Sequence, residues 1–296
     1  MHDLLPARDA AADPIAPDPE AGRIVWDPAA SLWNGSMLAI ALSFGVQTFS
    51  LPSLCVSVAL GALTTLAMSV GLHRLLAHAA FSAGPWTTRV LAWLGVLTGL
   101  GGPLGAVGAH HLSDWAQHRP AAHPFFMHRR SLATHLVWRM HGRIDLAHPP
   151  VFDLSRIERD PVLRLLERTW MLQQTPVAAL LFLMGGWSFV VWGICVRVAV
   201  TTIGYWTVAH LAHHPVGQAA ESETPGNDIA WAGLVSMGEA WHRNHHDHPT
   251  SARIGLYQGQ IDLGWRFIQT LERLGLVWDV RTPEAVTPVL HLHAEH

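Results

Sequence analysis

The sequence predicts an all-α integral membrane protein: two transmembrane helical hairpins, four spans in all, with a cytoplasmic helical cap carrying clustered histidines. Three observations predict it. Of 296 residues, 50% are hydrophobic and only 14% are charged, against about 25% charged in an ordinary soluble protein. Uncharged apolar runs occur in two pairs, each pair split by a short turn. The 21 histidines, nearly as many as the 22 acidic residues, gather where those runs end. A net charge of −3 lacks the basic excess of a nucleic-acid binder. Cys55 and Cys195 both lie in apolar runs, which excludes a CxxC metal site and a disulfide framework.

Residues 1–30 are rich in Ala, Asp and Pro, have no hydrophobic period, and read as a mobile tail. They lack the basic and apolar regions of a signal peptide. Residues 35–50 and 51–72 form the first hairpin, turning at Ser50, Leu51, Pro52 and Ser53. A helix crosses a bilayer core in about 20 residues, and the second of these runs carries no charge over 22. Residues 172–184 and 188–209 form the second hairpin around Gly185, Gly186 and Trp187. Its single charge, Arg197, is expected to face protein or water rather than lipid. Residues 89–109 are apolar as well. A third span there would put the histidines at its two ends on opposite faces, so a glycine-rich helix along the inner interface is expected. The membrane domain is thus expected to run over 31–280, followed by a C-terminal tail, 281–296. Both hairpin turns are uncharged, while Arg74, Arg89, Arg119, Arg129, Arg130, Arg139 and Arg143 lie on the other side. Positive charge marks the cytoplasmic face, so both termini and the histidines are expected there.

His73 and His78 close the second run; His210, His213 and His214 close the fourth; His242, His245 and His246 follow it. A further group, from His110 to His148, lies between the hairpins. Imidazole is the commonest metal-ligating side chain, and one ion needs several converging on it. His242 and His246 share a helix face at i,i+4, while His245 and His246 diverge by about 100°, so neighbouring rings can reach two different ions. A zinc-protease HExxH would need glutamate where Arg74 and Arg243 stand. An almost all-imidazole site for one or two ions remains, and spacing does not name the metal. His2, His141, His148, His291, His293 and His296 read as ordinary polar interface residues.

The stretch Gly71, His73, Arg74, Leu75, His78, Phe81 fits G-x-H-R-L-x-x-H-x-x-F. The stretch from Gly238 through Glu239, Trp241, His242, Asn244, His245, His246, Pro249, Ser251, Ala252, Arg253 and Gly255 to Leu256 is very like GEGWHNNHHxxPxSARxGL. In these motifs, and in their order along the chain over about 32–280, the sequence resembles the membrane fatty-acyl desaturases, the histidine-box family that includes stearoyl-CoA desaturase. The bacterial form is the nearer likeness. The second box diverges: spacing back from Thr134-His135-Leu136-Val137-Trp138 aligns it with His110-His111-Leu112-Ser113-Asp114, so two expected imidazoles are Ser113 and Asp114. Carboxylate oxygen is an acceptable iron ligand and Asp114 is i,i+4 from His110; a solvated interface carboxylate is the alternative. The family's N-x-x-x-H at the end of the fourth span reads Trp206 to His210 here.

The resemblance implies O2-dependent insertion of a cis double bond into an acyl chain by two irons. It implies metal ligands His73, His78, His110, Asp114, His210, His242, His245 and His246, with no other catalytic group. His213 or His214 could supply an imidazole missing from the second box, and His118, His123 and His128 are expected in supporting or interface roles. The implied partners are an acyl-CoA or acyl-lipid substrate, O2, membrane lipid, and a separate electron-transfer protein of ferredoxin, rubredoxin or cytochrome b5 type with its reductase. Arg119, Arg129 and Arg130 suit the phosphates of an acyl carrier or an anionic leaflet equally. The location implied is a bacterial inner membrane, multi-pass. Two other readings keep the fold: an acyl-chain hydroxylase, and a non-catalytic membrane metal-binding protein with a degenerate second site.

Overall fold

The computed structural model describes residues 16–119, 121–214 and 226–283. The described part is mostly helical, and its first element corrects the all-α expectation. Strand β1 (Asp18–Trp26) pairs antiparallel with residues 142–148, with Ile24 opposite Ile144 and Gly22 opposite Leu146. The expected N-terminal tail is therefore partly an ordered strand. A Cβ at Gly22 would come within 2.8 Å of the Leu146 side chain, so glycine permits the close pairing. His2 and the rest of residues 1–15 lie outside the described residues.

Helix α1 (Pro28–Phe44) starts where the Asp27 carboxylate accepts from the Ala30 N–H, with proline in its first turn. After the turn, Ser50 and Ser53 cap α2 (Leu51–Ala67) reciprocally. This helix runs on without interruption into a π-helical segment, Met68–Ala77. Strand β2 (Ser82–Ala83) and helix α3 (Pro85–Val96) follow. Helix α3 crosses the π segment so closely that a Cβ on Gly71 would meet Leu91 at 2.8 Å. The expected single interfacial helix over 89–109 is two helices. Gly99 (φ +86°) and Gly101 (φ +151°) adopt backbone that other residues avoid, and α4 (Pro103–Gln117) starts afresh beyond them.

Short helix α5 (Pro124–Met127), α6 (Leu132–His141) and strand β3 (Gly142–His148) complete the segment between the hairpins. Phe125 and Phe126 are buried here, packed against Ile24, Trp138, Ile144 and Leu146, which fastens the β1–β3 ribbon to the helices. After α7 (Ser155–Glu158), Asp160 caps α8 (Pro161–Thr169) and pairs with Arg89 at 3.0 Å.

A helical stretch of 53 residues, Pro161–His213, includes α9 (Gln174–Val190), a second π segment (Val191–Val196) and α10 (Arg197–His213). It does not run straight. Gly185 and Gly186 are non-helical, with φ +63° at Gly186, and the chain folds back there: Leu181 lies against Gly193 and Gln174 binds Arg197. The second hairpin therefore turns at the glycines that the sequence marks. The two turns meet, since Ser188 Oγ donates to Thr48 O at 2.6 Å and Trp192 Nε1 donates to Gly45 O at 3.0 Å. Arg197 faces protein, donating to Gly193 O, Leu97 O and Gln174 Oε1 at 2.6–2.7 Å.

Two helical stretches, Leu51–Ala77 and Pro161–His213, are long and apolar enough to cross a membrane. Large apolar side chains such as Leu42, Phe44, Val58, Leu180, Leu183 and Val200 are exposed on these hairpins, a surface that water disfavours. The histidine-bearing end is closed by α11 (His242–Asp247), α12 (Leu263–Arg273) and β4 (Val277–Trp278), the last paired with β2. Of the expected C-terminal tail, Arg281 is tied down by bonds to Ala80 and Ala252; His291, His293 and His296 lie outside the described residues.

Candidate metal centre

The first box needs an unusual helix. Five residues advance about 500° around an α-helix, so His73 and His78 would point roughly 140° apart. The π turn removes that divergence, because its bond runs i to i+5: His78 N–H donates to His73 O at 3.0 Å. Both rings then face the same way, with centroids 4.8 Å apart. His110, from α4, brings its Nε2 to 2.6 Å from His78 Nε2, and His245, from α11, brings its Nε2 to 3.3 Å from His73 Nε2. One nitrogen from each of these four rings lies within 4.8 Å of the others.

A second cluster lies beside the first on α11. The Nε2 atoms of His213, His242 and His246 form a triangle with sides of 2.8, 3.0 and 3.3 Å. A neutral imidazole nitrogen is either an N–H or a lone pair. Among three such nitrogens in mutual contact, at least one pair must be alike and repel. A cation resolves the conflict, and metal–nitrogen bonds of about 2.0–2.1 Å set neighbouring donors about 3.0–3.4 Å apart. His213 Nδ1 donates to Ala209 O at 2.9 Å, so the neutral ring presents a lone pair at Nε2, the state a metal requires. The clusters adjoin, with ring centroids 5.7 Å apart for His242 and His245 and 5.6 Å for His245 and His246.

Electrostatics keep most of these rings neutral. Burial, followed by repulsion from neighbouring imidazoles, pushes His78 down to about 2 and His242 and His245 well below their ordinary value. Burial and His213 push His246 down to about 3. Deprotonated ligands are what metal binding needs. Asp114 supplies negative charge, with a carboxylate oxygen 3.1 Å from His110 Nε2 and 4.0 Å from His78 Nε2. Burial alone would raise its carboxyl; His110 first, then His246 and His78, hold it well below the usual carboxylate range. Against its burial, His110 is raised by that same carboxylate.

Residues 49–257 match the profile of the fatty acid desaturase family. An sn-2 palmitoyl-lipid 9-desaturase of Nostoc sp. (strain 36) is 30% identical over 219 residues, covering 72% of this chain and 75% of that protein. An sn-1 stearoyl-lipid 9-desaturase of Anabaena variabilis is 31% identical over 216 residues, covering 73% and 79%. A hex-5-enoyl-(acyl-carrier protein) acetylenase of Moorena producens (strain JHB) is 29% identical over 268 residues, covering 85% and 83%. The chain belongs to the fatty acid desaturase family. It is accordingly an oxidoreductase of fatty-acyl chains, and both histidine clusters fall inside the matched span.

In this desaturase a second layer of side chains orients the clustered imidazoles. Glu239 Oε2 lies 2.5 Å from His73 Nδ1 as an ion-pair contact, which favours the ring proton at Nδ1 and the lone pair at Nε2, facing the first cluster. Its other oxygen accepts from Ser69 Oγ at 2.5 Å and from Arg74 Nη2 at 3.2 Å. Arg74 is buried beneath the last box, donating also to Asp262 Oδ1 at 2.9 Å and Ala252 O at 2.7 Å. Asp262 in turn accepts from the N–H groups of Ile254, Gly255 and Trp265. One guanidinium from the first box thus organises the loop of the last. Gly238 (φ +103°) lies against the Asp262 carboxylate where a Cβ would collide.

The structure brings His73, His78, His110 and His245 together, and sets His242 and His246 with His213, one of the two spare imidazoles of the sequence reading; the other, His214, bonds His128 O instead. His210, expected among the same ligands, instead joins His128 and His135. On α10 three residues turn a side chain by about 300°, so the two rings lie on adjoining but distinct faces, and α11 meets the one carrying His213. His111 is occupied with Ala77 O at 3.1 Å, and Ser113 bonds its own helix at Ala109 O. Glu239 carried no role in the sequence reading; its position three residues before His242, within the quoted motif, was the available signal.

Proposed function

We propose that this desaturase inserts a cis double bond into an acyl chain in an O2-dependent reaction at a histidine-ligated di-iron centre. His73, His78, His110 and His245, with the Asp114 carboxylate beside them, hold the first ion; His213, His242 and His246 hold the second. The convergence of seven imidazoles into two adjoining clusters carries this reading. Imidazole and carboxylate together suit iron. Bound there, the two irons would supply O2 activation and removal of hydrogen from unactivated methylenes, chemistry beyond any acid–base side chain. The protein's residues fix the tautomers: Ala209 O holds the proton at His213 Nδ1 and Glu239 holds it at His73 Nδ1. Burial of His245 and His246 limits water at the reacting centre.

The acyl chain is proposed to be lipid-linked, as in the names of the two cyanobacterial relatives, in preference to a coenzyme A or carrier-protein thioester. Each turnover takes two hydrogens from the chain, accepts two electrons from a separate electron-transfer protein with its reductase and two protons from solvent, and converts O2 to two waters. Four helices are proposed to cross a bacterial inner membrane, with the joined turns outward and both termini and the histidines in the cytoplasm. The exposed apolar side chains of both hairpins and the arginines at the opposite end support that placement.

The test is expression in a desaturase-deficient host, followed by lipid analysis with double-bond mapping. Product lighter by two hydrogens is expected, lost in His242→Ala and His246→Ala while membrane insertion persists. Product heavier by one oxygen would replace desaturation with hydroxylation. No product from iron-loaded protein supplied with a working donor would overturn the catalytic reading.

A further inference from the structure

His128, His135 and His210 form a third histidine cluster, and none of them belongs to the two clusters described above. They arrive from three separate elements. His128 follows α5 in left-handed backbone (φ +48°, ψ 29°), a conformation that a non-glycine residue holds only where its surroundings impose it. The imposing contact is visible: His214 Nδ1 donates to His128 O at 2.9 Å. His135 sits in the first turn of α6, whose start is fixed by the Ser131 cap. His210 sits in the last turn of α10.

The three rings are 2%, 2% and 4% exposed, and their centroids are 4.3, 5.3 and 5.6 Å apart. His128 Nδ1, His135 Nε2 and His210 Nδ1 are buried and make no hydrogen bond. Histidines that merely fill space behave otherwise in this protein: His111, His118 and His214 each bond a backbone carbonyl. Buried polar groups are ordinarily satisfied, and one nitrogen from each of these three rings lies within 4.8 Å of the others, so a shared partner would serve all three rings.

We infer that His128, His135 and His210 bind a third metal ion, a divalent transition metal of borderline softness such as zinc or iron(II). Three neutral imidazoles without a carboxylate exclude the hard ions magnesium and calcium. Three histidines also leave a fourth coordination position open. The guanidinium of Arg139 lies one helical turn beyond His135, stacked 4.2 Å over Phe125. Its charge opposes a dication, so this ion is the first of the three to leave under a chelator.

The expected total rests on the two sites proposed above, but the difference between wild type and variant does not, and the test counts metal without turnover. The purified full-length protein, stripped and then saturated with zinc(II), is desalted and its metal measured per chain. Three equivalents are expected in the wild type. One equivalent fewer is expected in His135→Phe, and again in His128→Phe. Where one substitution prevents folding, the other variant still decides. Folded variants that keep the wild-type count, whatever that count is, would overturn the inference.

Discussion

Glu239→Gln isolates the link between the second layer and the first ion. The substitution keeps the side chain's shape and removes its charge. One carboxylate oxygen accepts from Ser69 and Arg74, so the glutamine oxygen must stay on that side. Its amide NH2 then faces His73 Nδ1, 2.5 Å from the present oxygen. An N–H pointing at Nδ1 needs a lone pair there, so the His73 proton moves to Nε2 and blocks the atom turned toward His245. Losing an orienting carboxylate behind a metal-bound histidine lowers metal affinity about 10- to 100-fold, or about 1.4–2.7 kcal/mol. The assay is competition for the bound ions against a chelator of known affinity, with thermal melting of the metal-free protein as the folding control. One ion should weaken by that factor and its neighbour by less. Unchanged affinity at both sites in a folded variant would refute the tautomer argument.

Three further outcomes are expected. Asp114→Ala should reduce metal occupancy at the first site, where its carboxylate faces His110 and His78, whereas Asp114→His, which supplies an imidazole at the same helix position, should retain it; equal occupancy in wild type and Asp114→Ala would return Asp114 to a surface role. Arg197→Met should lower the melting temperature in detergent, because charge-assisted bonds worth about 1.5–3 kcal/mol each to Leu97 O and Gln174 Oε1 vanish; an unchanged melt would contradict their contribution. The metal-free protein should also lose stability in acid: despite burial, His73 and Arg74 hold Glu239 down to about 2, against an ordinary 4.5. A depressed carboxyl stabilises the fold fully above its unfolded value and loses that contribution as pH falls through the folded one. Glu239→Gln should flatten the decline between those values in acid denaturation, and an identical profile would count against it.

Both hairpin turns and the identity of most clustered histidines were legible in the sequence, because charge-free runs and imidazole spacing are local properties. What escaped was set by contacts between distant segments. The pairing of β1 with β3 depends on Ile24 and Ile144 meeting over Phe125 and Phe126, and an Ala- and Pro-rich stretch gives no hint of that partner. The five-residue step from His73 to His78 looks inconsistent with a shared α-helical face, and only the π turn reconciles it. His210 and His213 are equivalent by composition; the face on which α11 docks separates them. The role of Glu239 follows from its 2.5 Å contact across the chain, not from its neighbours.

Arg197 also bears on the order in which the chain is made. Its hydrogen-bond partners, the side chains of Thr64 and Gln174 and the carbonyls of Leu97 and Gly193, all precede it in the sequence. A guanidinium released alone into the middle of a bilayer is opposed by about 2.5–3.5 kcal/mol on insertion scales. By the time this one emerges from the ribosome, every group that neutralises its isolation has already been synthesised. In the proposed four-span arrangement, the last long apolar helix would therefore join a waiting bundle rather than enter lipid by itself.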